Sequence, residues 1–436
     1  MNILYNIHSH DTGRYIQPYG HAVPTPHLQL LAEEGVLFRQ AFCAGPTCSP
    51  SRAALLTGQC PHSAGMIGLA HRGFSLADPS RHLASFLRRS GYATVLCGVQ
   101  HEASGSEAFR HLGYDQAMKS PHPEEDAATF LASAPPQPFF LSVGFGLTHR
   151  AFPPADPDLL AGHSQPPLPL PDVPEIRADM AAFKTAAREL DRRIGVVLAA
   201  LGRHGLDRNT LVMATTDHGI AFPRMKCTLT DQGIGVLLIL RGPREGPWAE
   251  LLTGGRVEEA LVSHMDLYPT LCDLLGLEKP AWLEGHSILP LLRRETTSVR
   301  EAIVAEVTYH AAYEPMRAIR TSRWKYIRRY DGRTRPVLCN CDDSPSKTWM
   351  LDHGWGEEPV EEEVLYDLAL DPHERVNRAR WPACAAVLAE MRERLERWMR
   401  ETDDPLLKGP VRAPVGAEVN DPDDPSPRLP PRRIES

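Results

Sequence analysis

Short apolar runs alternate along this chain with longer stretches in which apolar residues recur every three or four positions. Asn2–Ile7 is a brief apolar run that reads as a first strand. Thr25-Pro26 offers a cap and a first-turn proline for a helix that Gly35 closes. Arg81–Arg89 reads as a helix ending at Gly91, and Tyr92–Gly98 as a buried strand. Phe139–Phe145 is another apolar run without alternation, the pattern of a strand covered on both faces. The longest helical pattern is Ile176–His204, with Ala182, Ala186, Leu190, Ile194 and Leu198 at four-residue spacing. Gly205 ends it, and Thr210–Thr216 and Val236–Arg241 follow as buried strands. This order predicts an α/β fold: a large, mostly parallel sheet sandwiched by helices.

Near Arg300 the pattern changes. Glu301–Val307 and Met316–Tyr330 read as strands of a smaller antiparallel sheet. Pro382–Thr402 reads as a helix with Leu388, Met391, Leu395 and Trp398 on one side. Residues 403–436 are rich in proline, aspartate and arginine, and are expected to be extended or disordered, or an arm that wraps a partner subunit. The chain thus divides into a large α/β domain (1–300), a smaller C-terminal α+β subdomain (301–402) and a tail (403–436).

Composition narrows the function classes. With 436 residues, 42% of them hydrophobic, the chain can bury a large core and a smaller one. A net charge of −8 gives no footprint for nucleic acid. The first apolar run is too short for a secretory leader and no run is long enough to span a membrane, so the expected location is cytoplasmic, with no membrane partner. Nine cysteines, an odd number without small-scaffold spacing, argue against a disulfide framework. Cys339-Asn340-Cys341 lacks a second pair at zinc-ribbon spacing and reads as two ordinary thiols.

The polar residues that could carry chemistry fall where strands end. His8-Ser9-His10-Asp11 follows the first strand, and His101 follows Tyr92–Gly98. His149 follows Phe139–Phe145, and Asp217-His218 follows Thr210–Thr216. In a parallel sheet these ends share one edge, the usual place for a site. His8 reads as structural. Cys48–Gly58 reads as a helix start, with Ser49 or Ser51 as cap, Pro50 in the first turn and Ala53–Leu56 entering the core. Backbone N–H groups at such a start favour an anion.

Cys48-Ser49-Pro50-Ser51-Arg52, followed by Leu56-Thr57-Gly58, resembles the signature of the type I sulfatases of the alkaline phosphatase superfamily. The resemblance implies an alkaline phosphatase-like fold. It also implies that a maturation enzyme converts Cys48 to formylglycine, whose hydrate attacks the sulfur of a sulfate ester or sulfamate. The family's Asp-Asp metal pair corresponds here to His10-Asp11, and its second pair to Asp217-His218. The implied metal set is therefore His10, Asp11, Cys48, Asp217 and His218. Calcium is the family's usual ion; an imidazole at position 10 suits manganese or zinc better, or places His10 beside the metal.

By the same resemblance Lys226, in Lys226-Cys227-Thr228, contacts the sulfate and helps protonate the leaving group. Arg52 steadies the diol, and His101 and His149 are the acid–base histidines. The family's second lysine, in Gly-Lys-x-His, is replaced in Gly98-Val99-Gln100-His101, so Gln100 is expected to offer a neutral donor to the substrate. Thr57–Met66, Pro315–Arg320 and Glu401–Pro405 are similar to the N-sulfoglucosamine sulfohydrolase branch. His310, Glu314 and Arg317 are candidates to line the pocket and read a sugar or an acidic group. The implied partners are a small-molecule or saccharide sulfate ester and the maturation enzyme, with a homo-oligomer left open. Two other readings stand beside this one. A phosphate or phosphonate ester hydrolase of the same superfamily would share the diol and the Asp-His pair. A binding protein without turnover would keep an ordinary Cys48 and need no metal.

Overall fold

A computed structural model describes residues 1–435, apart from the side chains of Asn6, Ile7 and His8, so the role expected for His8 lies outside the described residues. Eight strands form the large sheet: β1 (Asn2–Ser9), β2 (Val36–Phe38), β3 (Ala93–Gly98), β4 (Gln116–Met118), β5 (Phe139–Gly144), β6 (Thr210–Thr216), β7 (Leu238–Arg241) and β8 (Arg256–Glu258). Their order is β4-β3-β5-β1-β6-β7-β2-β8. β7 runs antiparallel to both neighbours, whereas the other pairings are parallel.

The apolar runs lack alternation because both faces of the sheet are covered. On β5, Phe140 enters one core with Ile3, Tyr5, Leu211 and Met213, while Phe139, Leu141 and Val143 enter the other with Leu4, Val212 and Ala214. Four helices carry or brace the strand-end residues and the smaller sheet: α1 (Pro26–Glu34), α2 (Cys48–Thr57), α3 (Pro174–Arg203) and α4 (Ala385–Glu401). The apolar stripe of α3 lays Leu190, Ile194 and Val197 on the second core. Its Asp191 carboxylate accepts from the N–H groups of His27 and Leu28 at 3.0 and 2.8 Å, satisfying two of the donors that the start of α1 leaves free.

The smaller sheet is antiparallel: β9 (Ala302–Tyr309), β10 (Tyr313–Thr321), β11 (Trp324–Arg329) and β12 (Glu363–Asp367). Leu388, Met391 and Leu395 of α4 pack on Ile319, Tyr326 and Leu365. The other face joins the main core, where Ile303, Ala305 and Val307 cluster with Phe42 and Leu55.

The tail is extended, but it is docked rather than disordered. Ala417 and Asn420 are fully buried, and Leu406 belongs to the core under α4. Asn420 explains the docking: its Oδ1 accepts from Arg72 at 2.8 Å, and its N–H donates to the Ala311 carbonyl at 2.9 Å. Glu418–Val419 and Arg432–Arg433 close a short antiparallel hairpin. No described helix is long and apolar enough to cross a membrane. None of the nine cysteines, Cys339 and Cys341 included, is joined in a disulfide.

Candidate active site

The loops after β1, β3, β5 and β6 meet the start of α2 at the carboxyl edge of the large sheet. Backbone proximity brings them together: a Cβ on Gly144 would lie 1.9 Å from the Val99 carbonyl oxygen, and one on Gly219 would lie 1.9 Å from the Gln232 carbonyl oxygen. Only glycine permits those approaches.

Every residue of α2 is buried. Neither Ser49 nor Ser51 caps it, contrary to expectation. The Ser49 hydroxyl accepts from the Ala70 N–H at 3.0 Å, and Ser51 donates to the Asp217 carbonyl at 2.5 Å. Both hydroxyls tie the helix to flanking segments, and Thr47 occupies the cap position without a side-chain bond. Cys48 therefore sits in a first turn that no side chain caps. Burial pushes its thiol well above the usual range, with Lys226 offsetting only part of that. An unmodified thiol here is neutral and a poor nucleophile.

Around Cys48 the charges are paired in a fixed order. Arg52 donates to Asp217 Oδ2 at 3.0 Å and to the Ser9 carbonyl at 3.3 Å. Asp217 Oδ1 accepts from the N–H groups of Asp11 and His218 at 2.8 and 2.9 Å. Burial works against its ionisation, but His218 and Arg52 overcome that and hold it well below the usual carboxylate range. Asp11 adopts the left-handed region, φ 55°, a conformation that costs a non-glycine residue energy and clusters at functional sites. Its Oδ2 accepts from Lys226 Nζ at 2.9 Å. Lys226 lies 2.9 Å from Asp342 Oδ2 and 3.4 Å from His149 Nε2. Burial alone would neutralise the lysine; Asp11 and then Asp342 raise its pKa well above the ordinary value.

Three observations fit a divalent cation at this place. Ligand atoms of His10, Asp11, Cys48 and Asp217 all lie within 4.8 Å of one another. Asp11 Oδ1 and His10 Nδ1 are buried without a hydrogen-bond partner. His218 Nδ1 donates to the Gly219 carbonyl at 3.0 Å, which aims Nε2 at Asp11 Oδ1, 3.3 Å away, and at Cys48 Sγ, 3.5 Å away. Burial and Arg52 depress the His10 pKa, leaving a neutral imidazole suited to a ligand.

The two histidines expected to act as acid and base, His101 and His149, lie beside this cluster. His101 meets His10 edge-on with ring centres 4.5 Å apart, and its Nδ1 is buried without a partner. Burial and Arg52 lower its pKa to about 3. His149 Nδ1 donates to the Arg150 carbonyl at 2.6 Å, which aims Nε2 at Lys226. Its side chain is 38% exposed.

The structure thus brings together Asp11, His10, Cys48, Arg52, Asp217, His218, Lys226, His149 and His101. The four substrate candidates divide. His310 is buried beside Lys226 and Asp342, and burial together with Lys226 depresses its pKa. Glu314 shares a cavity of about 490 Å³ with Lys226, but its carboxylate already accepts from Arg329 at 2.9 Å and Asn340 at 2.8 Å. Gln100 is corrected: its Nε2 donates to the Ala103 carbonyl at 2.8 Å, and its Oε1 accepts from the N–H groups of Glu102 and Ala103 at 2.8 and 3.0 Å. The amide braces its own loop. Arg317 is also corrected. It is fully buried, bound to Asp404 at 2.5 and 3.0 Å and to Glu306 at 3.1 Å, and holds the smaller sheet to the end of α4.

Asp342, the second anchor of Lys226, was missed by sequence reasoning. The only signal was an acidic pair after Cys341, in a segment read for its thiols. Glu102, fully buried and acting on Arg52, was also missed.

The sulfatase family model matches residues 8–277, and the model for the N-sulphoglucosamine sulphohydrolase C-terminal region matches residues 238–349. Human N-sulphoglucosamine sulphohydrolase is 29% identical to this chain, over 89% of it and 88% of the human protein. Delta 4,5-hexuronate-2-O-sulfatase of Bacteroides thetaiotaomicron is 27% identical, over 90% of this chain and 86% of the bacterial one. The solved structure of a 2-O GAG sulfatase shares the fold, with a TM-score of 0.70 at 23% identity and 95% of each chain covered. This chain belongs to the sulfatase family and is a hydrolase of the sulfatase class.

Proposed function

We propose that this sulfatase removes sulfate from an acidic saccharide by hydrolysing a sulfate ester or sulfamate, with formylglycine at position 48 and a divalent cation beside it. The observation that carries the reading is the position of Cys48: buried at a helix start, 3.5 Å from His218 Nε2, among ligand atoms of His10, Asp11 and Asp217, with Arg52 and Lys226 fixed nearby. The names of the relatives support a sugar substrate and leave S–N and S–O cleavage both open.

When present, the hydrated aldehyde at position 48 supplies an oxygen nucleophile, and a cation held by His10, Asp11, Asp217 and His218 supplies Lewis acidity. The chain's own side chains do the rest. Arg52, always charged and clamped by Asp217, balances negative charge that develops at position 48. Lys226, kept protonated by its two carboxylates, donates to a sulfate oxygen and to the bridging atom. His149, linked to Lys226 through Nε2, passes a proton to the departing alcohol or amine. His101, kept neutral by burial and Arg52, accepts a proton when sulfate leaves. Each such acid–base partner contributes roughly 10²–10⁴-fold. Because Gln100 is turned into its own loop, the sulfate meets one cation fewer than the family pattern provides. The mixed nitrogen and oxygen donor set suits manganese or zinc better than calcium.

The test is peptide mass analysis across Cys48, joined to sulfate release from a sulfated disaccharide with and without chelator. An aldehyde mass and a chelator-sensitive activity are expected. Fully active protein with an ordinary thiol at position 48 would refute the reading. A matched aryl phosphate assayed in parallel separates this activity from phosphoester hydrolysis.

A further inference from the structure

Lys184, on α3, is 5% exposed, yet no hydrogen-bond or ion-pair partner reaches its ammonium among the described residues. The stem is packed away while the ammonium opens on a cavity with no side chain to neutralise it, so its charge is free to meet a ligand there. The side chain lines a second cavity, of about 800 Å³, together with Arg14, Arg320, Gln40, Tyr15 and His21.

The walls of this cavity carry an excess of positive charge. The Arg14 and Arg320 guanidinium groups each lie 4.5 Å from the centre of the Phe42 ring. Arg14 donates to the Ala41 carbonyl at 2.8 Å, and its Nε is buried without an acceptor. Asp231 is the only acid lining the cavity among the described residues. It is already engaged, accepting from Arg320 at 3.0 Å and from Lys325 at 2.5 Å. Lys184 is therefore left without an acid, and Arg14 only shares Asp231 with Arg320 and Lys325. The rings of Tyr15 and His21, 4.6 Å apart, give one wall an aromatic surface of the kind that carries a sugar ring.

The position of the cavity links it to the catalytic centre. Arg14 follows β1, Gln40 follows β2, and Asp231, Gln232 and Gly235 precede the antiparallel β7, so all lie at the carboxyl edge of the large sheet. Gln232 and His373 line both this cavity and the one that Lys226 lines.

We infer that this cavity is a second anion subsite, which takes a sulfate or carboxylate substituent on a neighbouring sugar of the same acidic saccharide. The inference rests on the saccharide reading above. Lys184 supplies the primary charge and Arg14 the secondary one. The enzyme then prefers polyanionic oligosaccharides to singly sulfated monosaccharides.

The experiment compares the full chain with Lys184→Met, which keeps the apolar stem, and Lys184→Arg, which keeps the charge. Substrates are a sulfated tetrasaccharide and a monosulfated monosaccharide. In Lys184→Met the tetrasaccharide KM rises about tenfold or more, as for the loss of a charge-assisted contact, with kcat unchanged. The monosaccharide kcat/KM does not move, and Lys184→Arg retains tetrasaccharide affinity. An unchanged tetrasaccharide KM in folded Lys184→Met overturns the subsite. Calorimetric binding of the tetrasaccharide keeps the two readings apart. A tenfold affinity loss in Lys184→Met without sulfate release by the unaltered chain retains the subsite and sinks the hydrolase. Sulfate release with affinity insensitive to Lys184 does the reverse. Should Lys184→Met not fold, crystals of the unaltered chain soaked in selenate decide: an anomalous peak beside Lys184 Nζ is expected, and its absence overturns the inference.

Discussion

Replacing Arg317 with alanine should unfold this protein without touching its chemistry. The guanidinium is fully buried and binds Asp404 through two hydrogen bonds, 2.5 and 3.0 Å long. It also lies 3.1 Å from Glu306 and donates to the carbonyls of Val307 and Met316 at 2.9 and 3.0 Å. Alanine would leave two buried carboxylates facing each other across an empty space. Of the two, Glu306 keeps one cation, His62, at 2.8 Å. Removing one side of a buried ion pair costs about 3–5 kcal/mol, most of it the burial of the charge left behind. The measurement is urea denaturation of the purified variant, followed by tryptophan fluorescence, with kcat and KM recorded on the fraction that stays folded. The expected result is a large loss of stability with both kinetic constants within about twofold of the unaltered chain. Near-normal stability with a KM raised tenfold or more would show that Arg317 reads substrate, and would refute the assignment to the joint.

Five further outcomes are expected. Lys226→Met should lower kcat by about 10²–10⁴-fold, and steady-state kinetics on the sulfated disaccharide checks it. Chelation should abolish activity, and His10→Asp should shift metal preference toward calcium, read as activity restored by added calcium against added manganese. Deleting residues 411–436 removes the buried Ala417 and Asn420 and should lower the calorimetric melting temperature by about 5 °C or more. For His62, burial opposes charging but Glu306 prevails and raises its pKa above 6.5. Its contribution is therefore complete below pH 6.5 and is lost as pH rises through the raised value, so the stability gap to His62→Gln should narrow on the alkaline side.

Much of the large sheet could be read from the chain because its central strands are buried on both faces and appear as continuous apolar runs. The edge strands β4 and β8 escaped notice, since Gln116 and Val257 are exposed and the segments are three residues long. The reversed direction of β7 has no local signal, because a buried run looks the same in either orientation. The strand-end residues converged as parallel topology requires. Side-chain use was less legible. Periodicity cannot distinguish an arginine that faces a pocket from one that neutralises two carboxylates, and Arg317 is the second kind. Gln100 carries the right chemistry but spends it on Glu102 and Ala103, a choice made by loop geometry. Asp342 reaches Lys226 only through the fold, from a segment whose cysteines drew attention away from its acids. Disorder was the wrong expectation for the tail because composition reports average preference, while particular contacts anchor it, Asn420 on Arg72 and Ala311, Val411 on Tyr309 and Tyr313, and Ser426 on Asp343.

The depth at which Cys48 lies has a consequence for the order of events in the cell. The residue is 4% exposed, and its helix is pinned by Ser49, Ser51 and Arg52 to three other segments. A second protein cannot grip that stretch once the sheet has closed over it. Any conversion of the thiol therefore belongs to the newly made polypeptide, in a race between the modifying catalyst and collapse of the chain. If activity needs the converted residue, as proposed above, molecules that fold first would be stranded, correctly shaped and inert, and faster folding would yield a less active preparation.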